Sequence, residues 1–222
     1  MQIQTEAPLE EVKRATSQID LGFKTWSKLS LKYRIEGVRR LRKVISKNAR
    51  RIAESISEEN NRPVIEALSQ EVLSVLEMAK YCEKKFPKWL ACRQLPYRRP
   101  GFWQKKNILF YEPLGPVAIF SPQNFPFSLG MMTLIYTILP GNTVLLKTSE
   151  KSRFVTPMIE EILQESGLIA AKAAATLPGD AKIGKWLIQS PCIKKVIFFG
   201  NRKSGNEVAD LCQKHSMFLF SN

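Results

Sequence analysis

Apolar residues recur at three- and four-residue spacing up to Phe86, and in short continuous runs after Asn107. The first pattern is that of helices with one buried stripe, the second that of strands. Residues 7–29 predict a short amphipathic helix and a turn containing Trp26. Leu31, Ile35, Val38, Leu41, Ile45, Ile52 and Ile56 share one stripe and predict a single long helix over 31–58, with Arg39, Arg40, Lys43, Lys47 and Arg50 on its other side. Glu58-Glu59-Asn60-Asn61 breaks the pattern, and Pro63 suits the first turn of a new helix. Ile65, Leu68, Val72, Val75, Leu76, Ala79, Cys82 and Phe86 give that helix its apolar face. Pro87, Pro96 and Pro100-Gly101 mark an exit into a loop.

Beyond Asn107, Ile108–Tyr111 and Val117–Phe120 are β-prone runs joined by Pro113-Leu114-Gly115-Pro116. Pro126–Leu139 has helical spacing and ends at Pro140-Gly141; Thr143–Leu146 is a buried strand. Thr156-Pro157 predicts an N-cap followed by proline at the first helical position, and Gly167 the end of that helix. A weaker strand at Ala173–Leu177, a helix at Ala181–Gln189, a strong strand at Lys195–Phe199, a helix at Glu207–Lys214 and a strand at Met217–Phe220 complete the order. Strands alternating with helices predict an α/β fold: a Rossmann-like parallel sheet with helices on both faces, preceded by an N-terminal helical segment.

Composition narrows the partners. Lys+Arg 34 against Asp+Glu 20 gives a net charge of +14, which on its own suggests an anionic partner. The bases are spread over helix faces and one loop, with no RNA-recognition, K-homology or zinc-knuckle signature beside them, so nucleic acid is not the expected partner. Cys82, Cys92, Cys192 and Cys212 form no C-x-x-C pair and fit no metal spacing; a reducing, cytoplasmic setting is expected, with no metal. The longest apolar stretch, Phe125–Leu139, is too short and interrupted to span a bilayer, and the N-terminus lacks a signal-peptide pattern. His215, alone in its sequence neighbourhood, reads as a surface or capping residue.

The polar residues collect where strands end, the place where open α/β sheets bind ligands. Asn124, in Ser121-Pro122-Gln123-Asn124-Phe125-Pro126, is an amide just past a buried strand. It could donate to a developing oxyanion or brace its own loop as an Asx turn. Lys147 and Glu150 end the next strand as Lys147-Thr148-Ser149-Glu150: either an ordinary ion pair, or a carboxylate placed to accept ribose hydroxyls. Phe198-Phe199-Gly200-Asn201-Arg202-Lys203-Ser204-Gly205 runs from a strand to a helix, where an anion-binding turn or a plain glycine turn would both fit. Pro178-Gly179-Asp180-Ala181-Lys182-Ile183-Gly184 is another such entry.

Taken in order and spacing, these motifs resemble the cofactor-binding part of the NAD(P)-dependent aldehyde dehydrogenases. Asn124-Phe125-Pro126 matches the family's Trp-Asn-Phe-Pro run, with Gln123 in place of the tryptophan; Lys147-Thr148-Ser149-Glu150 matches its Lys-Pro-Ser-Glu. Gly179-Asp180 and Gly184 match Thr-Gly-Asp-Gly-x-x-Gly, with Ala181 for one glycine. The turn at Gly200 and Gly205 matches Phe-Thr-Gly-Ser-Thr-x-x-Gly, with Asn201 for the serine. The resemblance implies NAD or NADP as cofactor, NAD preferred through Glu150. The cleft would be lined by Phe120, Ser121, Pro122, Gln123, Lys147, Ser149, Glu150, Gly179, Gly184, Phe198, Gly200, Asn201, Ser204 and Gly205, with Asn124 as the catalytic oxyanion donor.

The reaction so implied oxidises an aldehyde to a carboxylic acid: a cysteine thiolate attacks the carbonyl, a hydride passes to the nicotinamide, and water hydrolyses the thioester. The implied organisation is N-terminal helices over 1–100, an extended arm over 101–115 resembling part of an oligomerisation hairpin, and a cofactor unit over 116–222. The family's Trp-Lys pair is Met132-Thr133 here, its general-base glutamate would fall at Asn222 or just past it, and its nucleophile belongs to a following domain. Cys192 reads as a buried structural thiol. The partners so implied are further copies of the chain in a homo-oligomer, or a missing catalytic half. Three readings stay open: a fragment of a complete enzyme that works only with its missing half, a degenerate nucleotide-binding protein without catalysis, or a basic binding module.

Overall fold

A computed structural model describes the chain over residues 3–95 and 106–221. Pro96, Pro100, Gly101, Phe102, Trp103 and Asn222, which carried expectations above, lie outside them. The N-terminal segment is helical as far as Trp89, apart from short turns. Helix α1 spans Ile3–Trp26, longer than the periodicity suggested, and Trp26 closes the helix instead of sitting in a turn. Its large buried apolar residues Val12, Ile19 and Trp26 lie a heptad apart, with the smaller Thr16 and Gly22 buried between them.

The long helix expected over 31–58 is two, α2 (Leu31–Lys47) and α3 (Ala49–Asn60). The break is at Asn48, whose backbone leaves the helical region (φ −100°, ψ 10°). Its side-chain amide donates to the Val44 carbonyl at 3.0 Å, competing with the backbone for one acceptor. Asn61 ends α3 in the left-handed region (φ 55°), a conformation asparagine tolerates. Pro63 caps α4 (Val64–Ala67) from outside, at ψ 138°, one residue earlier than its expected place inside the first turn. A π-helical turn, Leu68–Leu73, joins α4 to α5 (Ser74–Trp89). Pro87 does not end α5; the helix continues to Trp89, whose ring meets Phe86 edge-on at 5.3 Å between centroids.

Strands β1 (Arg93–Leu95) and β2 (Asn107–Leu109) form a small antiparallel pair. The main sheet comprises β3 (Pro116–Phe120), β4 (Thr143–Ser149), β5 (Ala174–Gly179), β6 (Lys195–Phe198) and β7 (Phe218–Ser221) in the order β5-β4-β3-β6-β7, every pairing parallel. The chain winds outward from β3 to β5, then crosses back to β6, so the direction of winding reverses between β3 and β6. This is the expected Rossmann-like sheet, and its crevice opens where the order reverses.

The alternation of strand side chains assigns the two faces. Val117, Ile119, Val144 and Leu146 pack on α6 (Ser128–Ile138) and α7 (Val155–Glu165), over which lie α2, α3 and α5. Ala118, Phe120 and Leu145 face α8 (Ala181–Gln189), α9 (Arg202–Lys214) and α1. Thr156 is not an N-cap: α7 begins at Val155, and the amides of Phe154 and Val155 both donate to Glu59 Oε2 at 3.0 Å. The Thr156 hydroxyl instead bonds that of Thr148 at 2.9 Å. Gly167 does end the helix, at φ 80°, with the Leu168 amide reaching back to the Leu163 carbonyl at 3.1 Å. Helix α9 starts at Arg202, five residues before the expected Glu207, because Asn201 caps it through Ser204 N at 2.9 Å.

Candidate functional site

Two adjoining cavities open at the carboxyl ends of β3, β4 and β6. The smaller, about 220 Å³, lies between β4, α8 and the β6–α9 turn. It is walled by Phe120, Ser121, Pro122, Gln123, Lys147, Ser149, Glu150, Gly184, Phe198, Gly200, Asn201 and Ser204, together with Ala181, Lys185, Phe199 and Glu207. The larger, about 930 Å³, is lined by Asn60, Arg62, Pro122, Gln123, Asn124, Leu129, Phe199, Gly200 and Asn201. Pro122, Gln123, Phe199, Gly200 and Asn201 belong to both, so one groove runs from Glu150 to Asn124. Twelve of the fourteen residues read from the sequence as cleft residues are on the walls of the smaller cavity. Gly179 and Gly205 stand beside it.

Lys147 forms no ion pair with Glu150 among the described residues. Its ammonium donates to the Gly179 carbonyl and to that of Thr148 at 3.3 Å, and sits 5.9 Å from the centre of the Phe120 ring. Burial holds it below the ordinary lysine range, against the pull of Glu150 and Asp180. Glu150 is left exposed just past β4. The Phe120 and Phe198 rings, opposite each other in the β3–β6 register, meet edge-on at 6.2 Å and form the floor. A β-carbon on Gly184 would come within 3.3 Å of the Phe120 ring and 3.7 Å of Lys147 Cε, so that glycine lets α8 approach the floor closely.

The glycines of the β6–α9 turn have a packing use as well. A β-carbon on Gly200 would stand 2.5 Å from the Phe198 ring, and one on Gly205 would stand 3.6 Å from it. Gly179 is similarly closed by Ile183. Asn201 spends its side-chain oxygen on the helix cap. Ser121 turns its hydroxyl inward, to the Pro126 carbonyl at 3.3 Å.

Asn124 does not brace its loop with its side chain. It is exposed, and among the described residues its amide has no hydrogen-bond partner. The loop is held by its backbone. Arg62 Nη2 donates to the Asn124 carbonyl at 2.8 Å, and the guanidinium lies 5.4 Å from the Phe125 ring centre. With its oxygen turned to Arg62, Asn60 donates to the Gln123 carbonyl at 3.3 Å. Glu71, on the π-helical turn, is fully buried; its Oε2 accepts from the amides of Phe127 and Ser128 at 2.9 and 3.0 Å, and its Oε1 from Arg62 Nη2. Burial pushes the Glu71 carboxyl above the ordinary carboxylate range, and the two amides and Arg62 oppose that shift.

The sequence reading missed Asn60, Arg62 and Glu71. One signal was present: Glu71 falls between Leu68 and Val75 on the apolar stripe, where an acid needs a partner. The cysteines are all free and none is on either cavity wall. Cys82 and Cys212 are buried, but Cys192, expected to be buried, is only half-buried in the loop before β6. His215 is the exposed C-cap of α9. No group of three or more metal-ligating side chains occurs, and no helix is long and apolar enough to cross a membrane, among the described residues. Part of the positive charge of α2 and α3 is committed internally: Arg39 and Arg42 share Glu83, Arg51 pairs with Glu161, and Lys47 with Glu165.

Comparison with known proteins agrees with this architecture. A family model described as the aldehyde dehydrogenase family matches residues 2–219. A 1-pyrroline-5-carboxylate dehydrogenase of Geobacillus thermodenitrificans is 28% identical over 211 residues, covering 94% of this chain and 40% of that protein. Its counterpart in Staphylococcus haemolyticus is 29% identical over 205 residues, covering 92% and 39%. The chain therefore spans about two fifths of the length of these curated relatives. Among solved structures, AldH of Staphylococcus aureus in a substrate-bound state superposes with a TM-score of 0.88 at 23% identity, over 95% of this chain and 45% of that one. An indole-3-acetaldehyde dehydrogenase of P. syringae, solved with NAD+, gives 0.85 at 22% identity, over 96% and 43%.

Proposed function

The chain belongs to the aldehyde dehydrogenase family, and from that premise we propose that the groove from Glu150 to Asn124 binds a nicotinamide dinucleotide, NAD in preference to NADP. The observation that carries this is the placing of Lys147, Glu150 and Gly184 around one cavity at the point where the sheet reverses its winding. The cavity suits an adenosine on its own terms. Gly184 lets α8 lie close against the Phe120 ring, the Phe120 and Phe198 rings supply an apolar floor, and the exposed Glu150 carboxylate is an acceptor for ribose hydroxyls. The same carboxylate repels a 2′-phosphate, which favours NAD. The first turn of α9, with Arg202 and Lys203, offers positive charge for the pyrophosphate.

The bound nicotinamide would accept the hydride in the oxidation of an aldehyde to a carboxylic acid. This chain's part in that reaction is to orient the dinucleotide and to present the free Asn124 amide as a donor to the developing oxyanion. The nucleophile is not among the described cavity residues, since no cysteine lines the groove. The cleft is thus read as the cofactor half of a site whose catalytic half lies elsewhere. Calorimetric titration with NAD and with NADP tests this. Binding of NAD, tighter than NADP and weakened at least tenfold by Glu150→Ala, is expected. Absence of binding for both at about millimolar concentration, where affinity is only about 4 kcal/mol, would remove the reading.

A further inference from the structure

We infer that Arg62 and Glu71 are positioning residues for Asn124: they hold its loop by backbone groups alone, so that the side-chain amide stays free over the larger cavity. The inference rests on the proposed reading of Asn124 as an oxyanion donor. Asn124 follows β3 on an irregular loop, and an exposed loop amide is ordinarily mobile. An oxyanion donor must instead be fixed before the reaction, or it costs reorganisation when the charge develops. Something must therefore immobilise the loop without consuming the amide.

The chain does this from two sides. Glu71 takes the amides of Phe127 and Ser128, anchoring the loop's exit at the start of α6. Arg62 takes the Asn124 carbonyl and is itself held by the other oxygen of Glu71. One guanidinium nitrogen thus ties the loop to a carboxylate that is fully buried. Glu71 reaches this place because it lies on the π-helical turn, which interrupts the α-helical register between α4 and α5. Such turns are commonly found beside functional sites. An apolar pair would serve stability as well in a buried position, but it could not hold the Asn124 carbonyl.

The test separates positioning from stability by using Arg62→Met, Glu71→Gln and the double variant in the full chain, with no cofactor added. Thermal unfolding reads stability. Nuclear magnetic relaxation reads the order of Asn124, its side-chain amide signals identified by their loss in Asn124→Asp. A backbone order parameter near ~0.85 is expected for Asn124 in the parent and below ~0.6 in Arg62→Met. The double variant, which removes the uncompensated charge, should recover at least half of the lost melting temperature and none of the lost order. Should the single variant not fold, the double variant and Arg62→Lys carry the same comparison, the lysine restoring stability more fully than order. Recovery of order along with stability in the double variant, or unchanged order at Asn124 in Arg62→Met, would make the pair a structural one and overturn the inference. Failure of the cofactor reading would appear separately, as absence of NAD binding by the parent chain.

Discussion

Gly184 offers a way to close the cleft without altering a charge. It is buried on α8, and a β-carbon there would approach the Phe120 ring to 3.3 Å and Lys147 Cε to 3.7 Å. Gly184→Ala gains about 1 kcal/mol of helix propensity and squeezes the ring by a few tenths of an ångström, so its stability should stay within about 1 kcal/mol of the parent. Gly184→Leu places three more carbons towards the cavity of about 220 Å³. Overpacking of that kind costs about 1–3 kcal/mol, and propensity returns nearly 1. The net loss is about 0–2 kcal/mol, a fall in melting temperature of up to about 8 °C at this chain length. Dinucleotide affinity should fall much further, by about 100-fold or more, equivalent to about 2.7 kcal/mol, because the leucine occupies the space assigned to the adenosine. Calorimetric unfolding and NAD titration on the same preparations decide it. Asn124→Ala, on the other cavity, serves as the control and should change adenosine-end affinity by less than about threefold. A folded Gly184→Leu that binds NAD like the parent would show that the dinucleotide does not lie between α8 and the Phe120 ring.

Four further outcomes are expected. Glu59→Ala removes the acceptor of the Phe154 and Val155 amides and should cost about 1–2 kcal/mol in urea unfolding; no loss would mean water caps α7 equally well. Because burial raises Glu71 above its unfolded value, its neutral form favours folding. The parent's stability relative to Glu71→Gln should be highest below about pH 4.3 and should fall as pH rises through the raised value; urea midpoints whose difference stays flat between about pH 4 and 7 would refute that sign. The isolated chain should not oxidise aldehydes, having no thiolate in its groove; steady NADH production abolished by replacing one of the four cysteines would contradict this. Ile108 and Phe110, 58% and 62% exposed, should promote self-association; light scattering that finds a monomer at every ionic strength would oppose it.

What the sequence made legible was whatever depends on local pattern. The strand–helix alternation and the Gly167 terminus follow from short runs of residues read against the periods of strand and helix, whereas the cleft residues Phe120–Gln123, Lys147 and Gly200 were named through the family resemblance of their motifs. Helix ends that depend on distant partners were misplaced. Thr156-Pro157 has the form of a cap, yet α7 starts at Val155 because Glu59, far back in the chain, accepts its first amides. The stripe from Leu31 to Ile56 is continuous in period, and the break at Asn48 comes from one side-chain amide competing for the Val44 carbonyl. The Lys147–Glu150 spacing suggested an ion pair as readily as a binding pair; only the fold brings the Gly179 carbonyl to the ammonium and leaves the carboxylate exposed.

The same dependence on distant partners explains why the N-terminal helices matter to the groove. Helix α6 follows the Asn124 loop, so its setting decides where that loop begins and ends. Its first amides, at its N-terminus, are taken by Glu71. At its other end the carbonyls of Ile138 and Leu139 are taken by Trp26 Nε1 at 3.0 Å and Arg34 Nε at 2.8 Å. A helix leaves four amides and four carbonyls without internal partners, and buried ones must find partners outside it. Here the partners come from α1, α2 and the π-helical turn, all in the segment before the sheet. Charge suits each end: an anion at the positive end of the dipole and a cation at the negative end. The N-terminal helices therefore do more than cover the apolar face of the sheet. They fix the axis of α6 at both ends and, through it, the position of the loop that presents Asn124.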